Sequence, residues 1–459
     1  HVHSRFARAC SKYLTLSNME AWGRVKGIDL LGTADFTHPV WLAEIRKQLQ
    51  EVLPGIYEVK DKYRADLPYA VKNPRPLRFI LTHEIATIWS QEGKLRRMHT
   101  VLICPSMESA IKLTNELAPL GKLGSDGRPI LGMSTRELAE RAWGVDEKIL
   151  VIPAHAWTPW FAVFGSKSGF DSLEECFGKD LVGRIPAIET GLSSDPYMNW
   201  QLSSLDNVAL ISTSDAHSPD NLGREATVFE VANEKDLSFD LISQMIWEAA
   251  PAKRQEKLEA LNSKIETNSK SKELNPKTIN YKLLTKNYLD YTIEFFAEEG
   301  KYHHDGHRTC GVCWKPEERK RHKNLCTSCG KEVTVGVLSR IDDLADRQFG
   351  FKPKGAPDFK QIVPIRDILS SMLQKGKKTK TVDQVYSSLV RGCGPEFELL
   401  MNASLEQIES SSSIEFATVV EAMRKGDIKM KPGYDGVYGV LELPNAVASQ
   451  HSLFQTEAA

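Results

Sequence analysis

The chain begins "HVHSRFARAC", and two histidines separated by one residue lie on the same side of a strand, where both imidazoles can meet one metal ion. "SDAH" repeats that spacing with Asp215 and His217. Further donors stand where short apolar runs end: Asp35 and His38 in "GTADFTHP", Glu84 in "THE", His155 in "VIPAHA" and Glu189 in "IPAIETG". His99 in "MHTVLICP" joins them. Imidazole and carboxylate together suit zinc, manganese or iron, and a carboxylate has two oxygens with which to bridge a pair of ions. Any one of these histidines reads equally well as a packed or surface residue. Two dyads with several singletons at strand ends point collectively to a metal centre, here of Zn2+, Mn2+ or Mg2+, whose bound water is acidified to hydroxide.

A second cluster has different chemistry. Cys310-x2-Cys313-x12-Cys326-x2-Cys329 supplies four thiolates in two knuckles, the spacing of a closed, structural Zn2+ site, with His307 as substitute ligand if one cysteine stands aside. The other four of the eight cysteines are scattered, which favours a reducing compartment over a disulfide framework. Further on, "LQKGKKTKTV" sets Lys378 and Lys380 in a glycine-containing turn before a helical pattern, and such a turn can hold a phosphate through backbone N–H groups and charge. A solvated turn is the equal alternative.

These residues need elements to position them. Up to about residue 235, apolar runs such as "GIDLLGTAD", "LRFILTHE", "ILVIPAHA" and "VALISTSDAH" alternate with helical patterns such as "HPVWLAEIRKQLQEVL" and "MESAIKLTNELAPL". That alternation predicts an α/β fold with a mostly parallel sheet or (β/α) barrel, whose strand C-termini carry the chemistry. The expected division is a catalytic barrel over 1–240, a linker with an exposed helix over 241–285, a zinc-binding module over 286–345, a helical domain over 346–445 and a flexible tail over 446–459. With 459 residues, 41% of them hydrophobic and 26% charged, the composition is that of a soluble globular protein, and the net charge of −1 confines any nucleic-acid contact to local basic patches. No run of 18 apolar residues suggests a membrane span. The chain opens without methionine, so His1 and His3 are expected to end a first strand whose beginning precedes this sequence.

"HVHSRFARAC", "GTADFTHP", "MHTVLICP", "PAHAWTPWFAVFGSKSGF" and "STSDAH" resemble the polymerase-and-histidinol-phosphatase (PHP) domain, a distorted (β/α) barrel with a multinuclear metal centre. Within that superfamily "GLSSDPYMNW", "NLGREATVFEV" and "TIEFFAEEGKYHHDGHRTCGVC" are similar to the endonuclease Q family, and the likeness runs over nearly the whole chain. The resemblance implies a repair nuclease that cuts DNA on the 5′ side of deaminated bases and abasic sites. By motif, His1, His3, Glu84 and Asp215 would hold one metal, with Glu84 bridging to a second held by His99 and His155. His38 and His217 would face a third, with help from Asp35. The superfamily often has another histidine soon after the first dyad, but Phe6 to Cys10 contains none, which leaves the third site short of a ligand.

Under that reading Asp215, Glu84 and His155 carry the catalysis. Arg8 and Arg5 bind phosphate, with surface ion pairing as the alternative. Trp157, Trp160, Tyr197 and Asn199 are the candidates for receiving a flipped base, although core packing is the usual role of buried aromatics. The tail carries Gln450, Leu453 and Phe454, which resemble the peptide that binds the bacterial sliding clamp and imply a bacterial, nucleoid-associated location in the cytoplasm. Two other functions stay open: a PHP-type phosphoesterase for small phosphate monoesters, and a catalytically inactive DNA-binding adaptor.

Overall fold

The computed structural model describes residues 1–267 and 285–443. Its first half is built on one long hairpin. Arg78–Gln91 pairs antiparallel with Lys94–Cys104 in unbroken register from Leu81↔Cys104 to Gln91↔Lys94. Glu92 and Gly93 close it with φ of 52° and 75°, the two positive values of the tight turn that suits the right-handed twist of a hairpin. The inner part of Arg78–Gln91 is buried on both faces, so apolar residues such as Phe79, Ile80, Leu81, Ile85 and Ala86 fall on both sides rather than alternating with exposed polar ones.

Around the hairpin, Leu30–Gly32 and Ile130–Leu131 pair parallel with the first strand and Leu150–Pro153 pairs antiparallel with the second, while the small hairpin Leu49–Leu53 and Ile56–Val59 joins through Tyr57↔Phe79. Ala187–Glu189 and Ala209–Ile211 form a separate parallel pair, and Val2 bridges to Ala216 in parallel. The architecture is mixed α/β, and its core differs from the mostly parallel sheet expected. Two residues between "TIWSQ" and "KLRRM" leave no room for the crossover helix a parallel connection needs.

The described residues also cross the expected domain boundaries. Phe239–Glu248 is a core helix whose Phe239, Ile242, Met245 and Ile246 pack on Ile56, Ile103, Ile152 and Ala209, so a break after residue 240 would fall within its first turn. Tyr288–Phe295 pairs antiparallel with Ala226–Glu230 and parallel with Asp358–Ile362, so one three-stranded sheet draws on the first half, the cysteine-rich segment and the C-terminal part.

Helices Ile365–Leu373, Lys380–Cys393, Glu396–Met401, Leu405–Ser411 and Ile414–Lys425 then enclose a second core around Ile368, Tyr386, Leu389 and Phe416. Ser404 and Ser413 cap the last two of these helices through their hydroxyls. This unit is fastened to the first half by a buried ion pair: Lys26 Nζ lies 2.5 Å from Glu396 Oε2, with side chains 3% and 5% exposed. Tyr386 Oη and the Ile365 N–H also donate to Glu396, at 2.8 and 2.9 Å. Among the described residues no helix is long and apolar enough to cross a membrane.

Candidate metal centre

Glu84, on the inner face of the long strand, organises the site because its two oxygens face different partners. Oε2 lies 3.4 Å from His1 Nε2 and 3.2 Å from His3 Nε2. Oε1 lies 2.8 Å from His99 Nδ1 and 3.3 Å from His155 Nε2. Asp215 Oδ1 approaches His3 Nε2 at 3.1 Å and His217 Nδ1 at 3.6 Å. The geometry therefore gathers three groups with donor atoms within 4.8 Å of one another: His1, His3 and Glu84; Glu84, His99 and His155; and His3, Asp215 and His217. The turns that present them are strained, with φ of 41° at Asp35, 28° at His155 and 43° at Asp215. Such values in non-glycine residues persist where surrounding structure over-determines them.

The residues fit divalent cations. His1 Nε2 and Glu84 Oε1 are buried without a hydrogen-bond partner, despite the short Glu84–His99 approach, whose alignment is poor for a hydrogen bond. Burial pulls the His1 imidazole down, yet Glu189, Glu84 and Asp215 outweigh it and hold its pKa well above the ordinary value. His3 behaves likewise: burial lowers it, and hydrogen bonds with Asp215, Asp35 and Glu84 raise it further. Glu84 is held well below the carboxylate range because His99, His1 and Arg128 overcome the cost of burial. The carboxylates thus demand positive charge at a largely buried site, which is the demand a metal ion meets. Burial brings His99 down to about 4, so its ring is already neutral, the form that ligates.

Several expected ligands stand elsewhere. Asp35 is fully buried behind His3, with Oδ1 3.4 Å from His3 Nδ1 and Oδ2 accepting the Ser4 N–H at 2.7 Å, so it orients a ligand and belongs to none of the three groups. His38 begins the helix Pro39–Gln48: its Nδ1 accepts the Trp41 N–H at 3.4 Å and its ring stacks on Phe6 at 4.3 Å. The cap occupies Nδ1, and His38 belongs to none of the three groups. Two residues outside the expected set enter instead. Glu189, recognisable as a strand-end carboxylate, accepts from His1 Nδ1 at 2.9 Å and from the His155 N–H at 3.0 Å. Arg128, in a loop that no periodicity marks, places Nη1 3.0 Å from Glu84 Oε2.

The DNA candidates also divide. Trp157 is 1% exposed and its indole N–H donates to Asn199 Oδ1 at 2.7 Å, while the Asn199 amide donates to Ser194 and to the Asp195 carbonyl. Both are occupied structural groups and leave no face for a base. Tyr197 packs on Trp200 and Phe359. Trp160 is 36% exposed, rests edge-on against Tyr302 at 5.6 Å and directly precedes Phe161, whose ring lies 4.5 Å from His99. Arg5 is tied to Glu44 at 2.5 Å, and Arg8 is exposed. Lys378, 79% exposed, approaches Asp220 at 4.0 Å, three residues beyond His217. Lys380 is exposed at the start of Lys380–Cys393.

In the cysteine-rich segment His307, Cys310, Cys326 and Cys329 bring their donor atoms within 4.8 Å, and Cys313 stands apart. Asp305–His307 pairs with Val312–Trp314 in the register Gly306↔Cys313 and His307↔Val312, which puts Cys313 on the face opposite His307. Its Sγ lies 3.6 Å from His304 Nδ1. The expected four-thiolate set is thus replaced by three thiolates and one imidazole, equally suited to zinc. Gln450, Leu453 and Phe454 lie outside the described residues.

A family described as the MJ0043 C-terminal domain matches residues 364–427, the helical unit. The uncharacterised protein MJ0043 of Methanocaldococcus jannaschii is 29% identical over 287 residues, which are 62% of this chain and 31% of that protein. The chain thus spans about a third of that relative's length. The uncharacterised protein YqxK of Bacillus subtilis is 24% identical over 91% of this chain and 89% of its own length. Among solved structures, the lesion-specific endonuclease PfuEndoQ from Pyrococcus furiosus superimposes with a TM-score of 0.76 at 27% identity, covering 98% of this chain and 95% of its own. Endonuclease Q in complex with a 27-mer duplex substrate carrying an abasic lesion at the active site gives the same score and identity over 97% and 96%.

Proposed function

Starting from this full-length likeness to endonuclease Q, we propose that the chain is a metal-dependent DNA repair endonuclease that hydrolyses the phosphodiester 5′ to a deaminated base or an abasic site. The observation that carries the reading is Glu84, whose oxygens divide between the His1–His3 pair and the His99–His155 pair. That is the arrangement of a carboxylate shared between neighbouring ions. Divalent ions held there would lower the pKa of bound water and offset charge on phosphate oxygens. His1, His3, Glu84, His99, His155, Asp215 and His217 would hold them, and Asp35 and Glu189 fix the orientation of His3 and His1. Hydrolysis adds water across the P–O3′ bond: oxygen joins phosphorus, the leaving 3′ oxygen takes a proton, and the products are a 3′-hydroxyl and a 5′-phosphate. Trp160, exposed next to the Phe161 that packs on His99, offers an aromatic surface on which an unstacked base can rest, and the Lys378 turn flanks the loop that follows His217.

The test is cleavage of end-labelled duplexes that carry one deoxyuridine, deoxyinosine, deoxyxanthosine or abasic site, with manganese, magnesium or zinc, by the protein and by Asp215→Ala. A metal-dependent cut on the 5′ side of the lesion, lost in the variant, is expected. Lesion-DNA binding without any cut would favour an inactive adaptor, and hydrolysis confined to small monoesters would favour a phosphoesterase.

A further inference from the structure

We propose that Arg128 is a catalytic residue of this centre, whose guanidinium binds a non-bridging oxygen of the scissile phosphate. Its chemical target is a phosphodiester, so the inference rests on the reading above.

The loop Ser125–Pro129 is held on every side in a way that delivers one side chain. The Gly127 N–H donates to the Phe6 carbonyl at 2.9 Å, and a Cβ at Gly127 would lie 2.3 Å from Asp35 Oδ2 and 2.6 Å from the Ala7 nitrogen. Only glycine lets the loop press this closely on the residue that supports His3. On its other side, the Pro129 carbonyl accepts the Ala86 N–H at 3.0 Å, two residues along the strand from Glu84. Asp126 Oδ1 accepts the N–H of Arg128 at 3.0 Å and that of Arg8 at 3.1 Å, which locks the loop to the segment following His3.

The guanidinium so delivered has spare capacity. Nη1 contacts Glu84 Oε2, while no side-chain partner among the described residues takes its other donors. The Arg128 side chain is 23% exposed against 0% for Glu84, so it stands between the buried carboxylate and solvent. A fixed guanidinium presents donors in a fork that matches two phosphate oxygens, and donors placed in advance stabilise charge that grows during attack on phosphorus. Arg5, closed off by Glu44, has no comparable position.

The experiment compares the wild-type protein with Arg128→Ala and Arg128→Lys on lesion duplex and on bis(p-nitrophenyl) phosphate, measures bound metal, and adds guanidinium hydrochloride at millimolar concentration. Arg128→Ala is expected to lower kcat about 100- to 1000-fold with metal content unchanged, as for loss of one pre-placed donor in a transition state. Added guanidinium should restore part of that loss, and Arg128→Lys should recover little because an ammonium lacks the planar fork. Unchanged kcat overturns the proposal. So does a parallel fall in metal content without guanidinium rescue, which would make Arg128 a support for Glu84. If the wild type cleaves only the small diester, the DNA reading fails and the Arg128 comparison is decided on that substrate. If it cleaves neither, both fall.

Discussion

Replacing Asp35 with asparagine removes one charge from a position with no exposed surface and sets a conflict that either amide orientation leaves unsolved. The carboxylate faces two donors, His3 Nδ1–H at 3.4 Å and the Ser4 N–H at 2.7 Å. Asparagine has one acceptor, so its NH2 must point at one of them. With the amide oxygen toward Ser4, His3 loses the partner that keeps a proton on Nδ1 and so leaves Nε2, which lies between Glu84 and Asp215, as the nitrogen that can ligate a metal. Losing a supporting group of this kind weakens metal binding about 10- to 100-fold, roughly 1.4–2.7 kcal/mol. Titration of the metal-free protein with manganese or zinc, read by calorimetry and by metal analysis of the saturated protein, should show that weakening with the number of bound ions unchanged. The reasoning fails if affinity stays within about twofold of wild type, or if one ion disappears altogether, since the latter would make Asp35 a ligand.

Three other perturbations test separate parts of the structure. His307→Ala should abolish zinc retention by the cysteine-rich segment and Cys313→Ser should leave it intact, as metal analysis after dialysis will report. Lys26→Met leaves Glu396 charged and buried, so it should destabilise the protein by about 3–5 kcal/mol in urea unfolding, and adding Glu396→Gln should recover most of that. Burial, followed by Asp367 and Glu298, pushes the Glu299 carboxyl up to about 8 from its ordinary 4.5. The folded state holds that proton more tightly than the unfolded chain, so its stabilising contribution is complete below pH 4.5 and is lost as pH rises through 8. Glu299→Gln should therefore flatten the decline in unfolding free energy across that window by an amount on the order of a few kcal/mol.

Much of the candidate metal centre is legible in the sequence because its donors recur at regular spacing. His1 with His3 and Asp215 with His217 flank the bridged residues Val2 and Ala216 with the spacing the sequence shows, and Glu84 and His155 stand where apolar runs stop. What escapes is whatever depends on how loops fold back. Arg128 reaches Glu84 through contacts of Gly127 and Pro129 with segments far away in sequence. Trp157 and Trp160 have the same chemical promise and differ by the accident of neighbours, since one meets Asn199 in the core and the other faces solvent. The Cys-x2-Cys knuckle is visible as spacing, but the turn at Gly311, φ 68°, followed at once by a strand, is what turns Cys313 away and admits His307. The hairpin at Glu92 and Gly93 carries a readable turn, and it alone decides that the central strands run antiparallel.

The bridge between Val2 and Ala216, with the Asp215 N–H donating to the His1 carbonyl at 3.0 Å, sets the order in which the protein can become active. During synthesis the first three residues emerge long before their partners, and such distant pairing bears the entropy of a closed loop before any contact rewards it. His1 and His3 therefore wait, unpaired, until the "SDAH" segment has left the ribosome, while the hairpin bearing Glu84 and His99 forms from neighbouring residues. The candidate metal centre therefore closes only after the segment that carries Asp215 and His217 has been made.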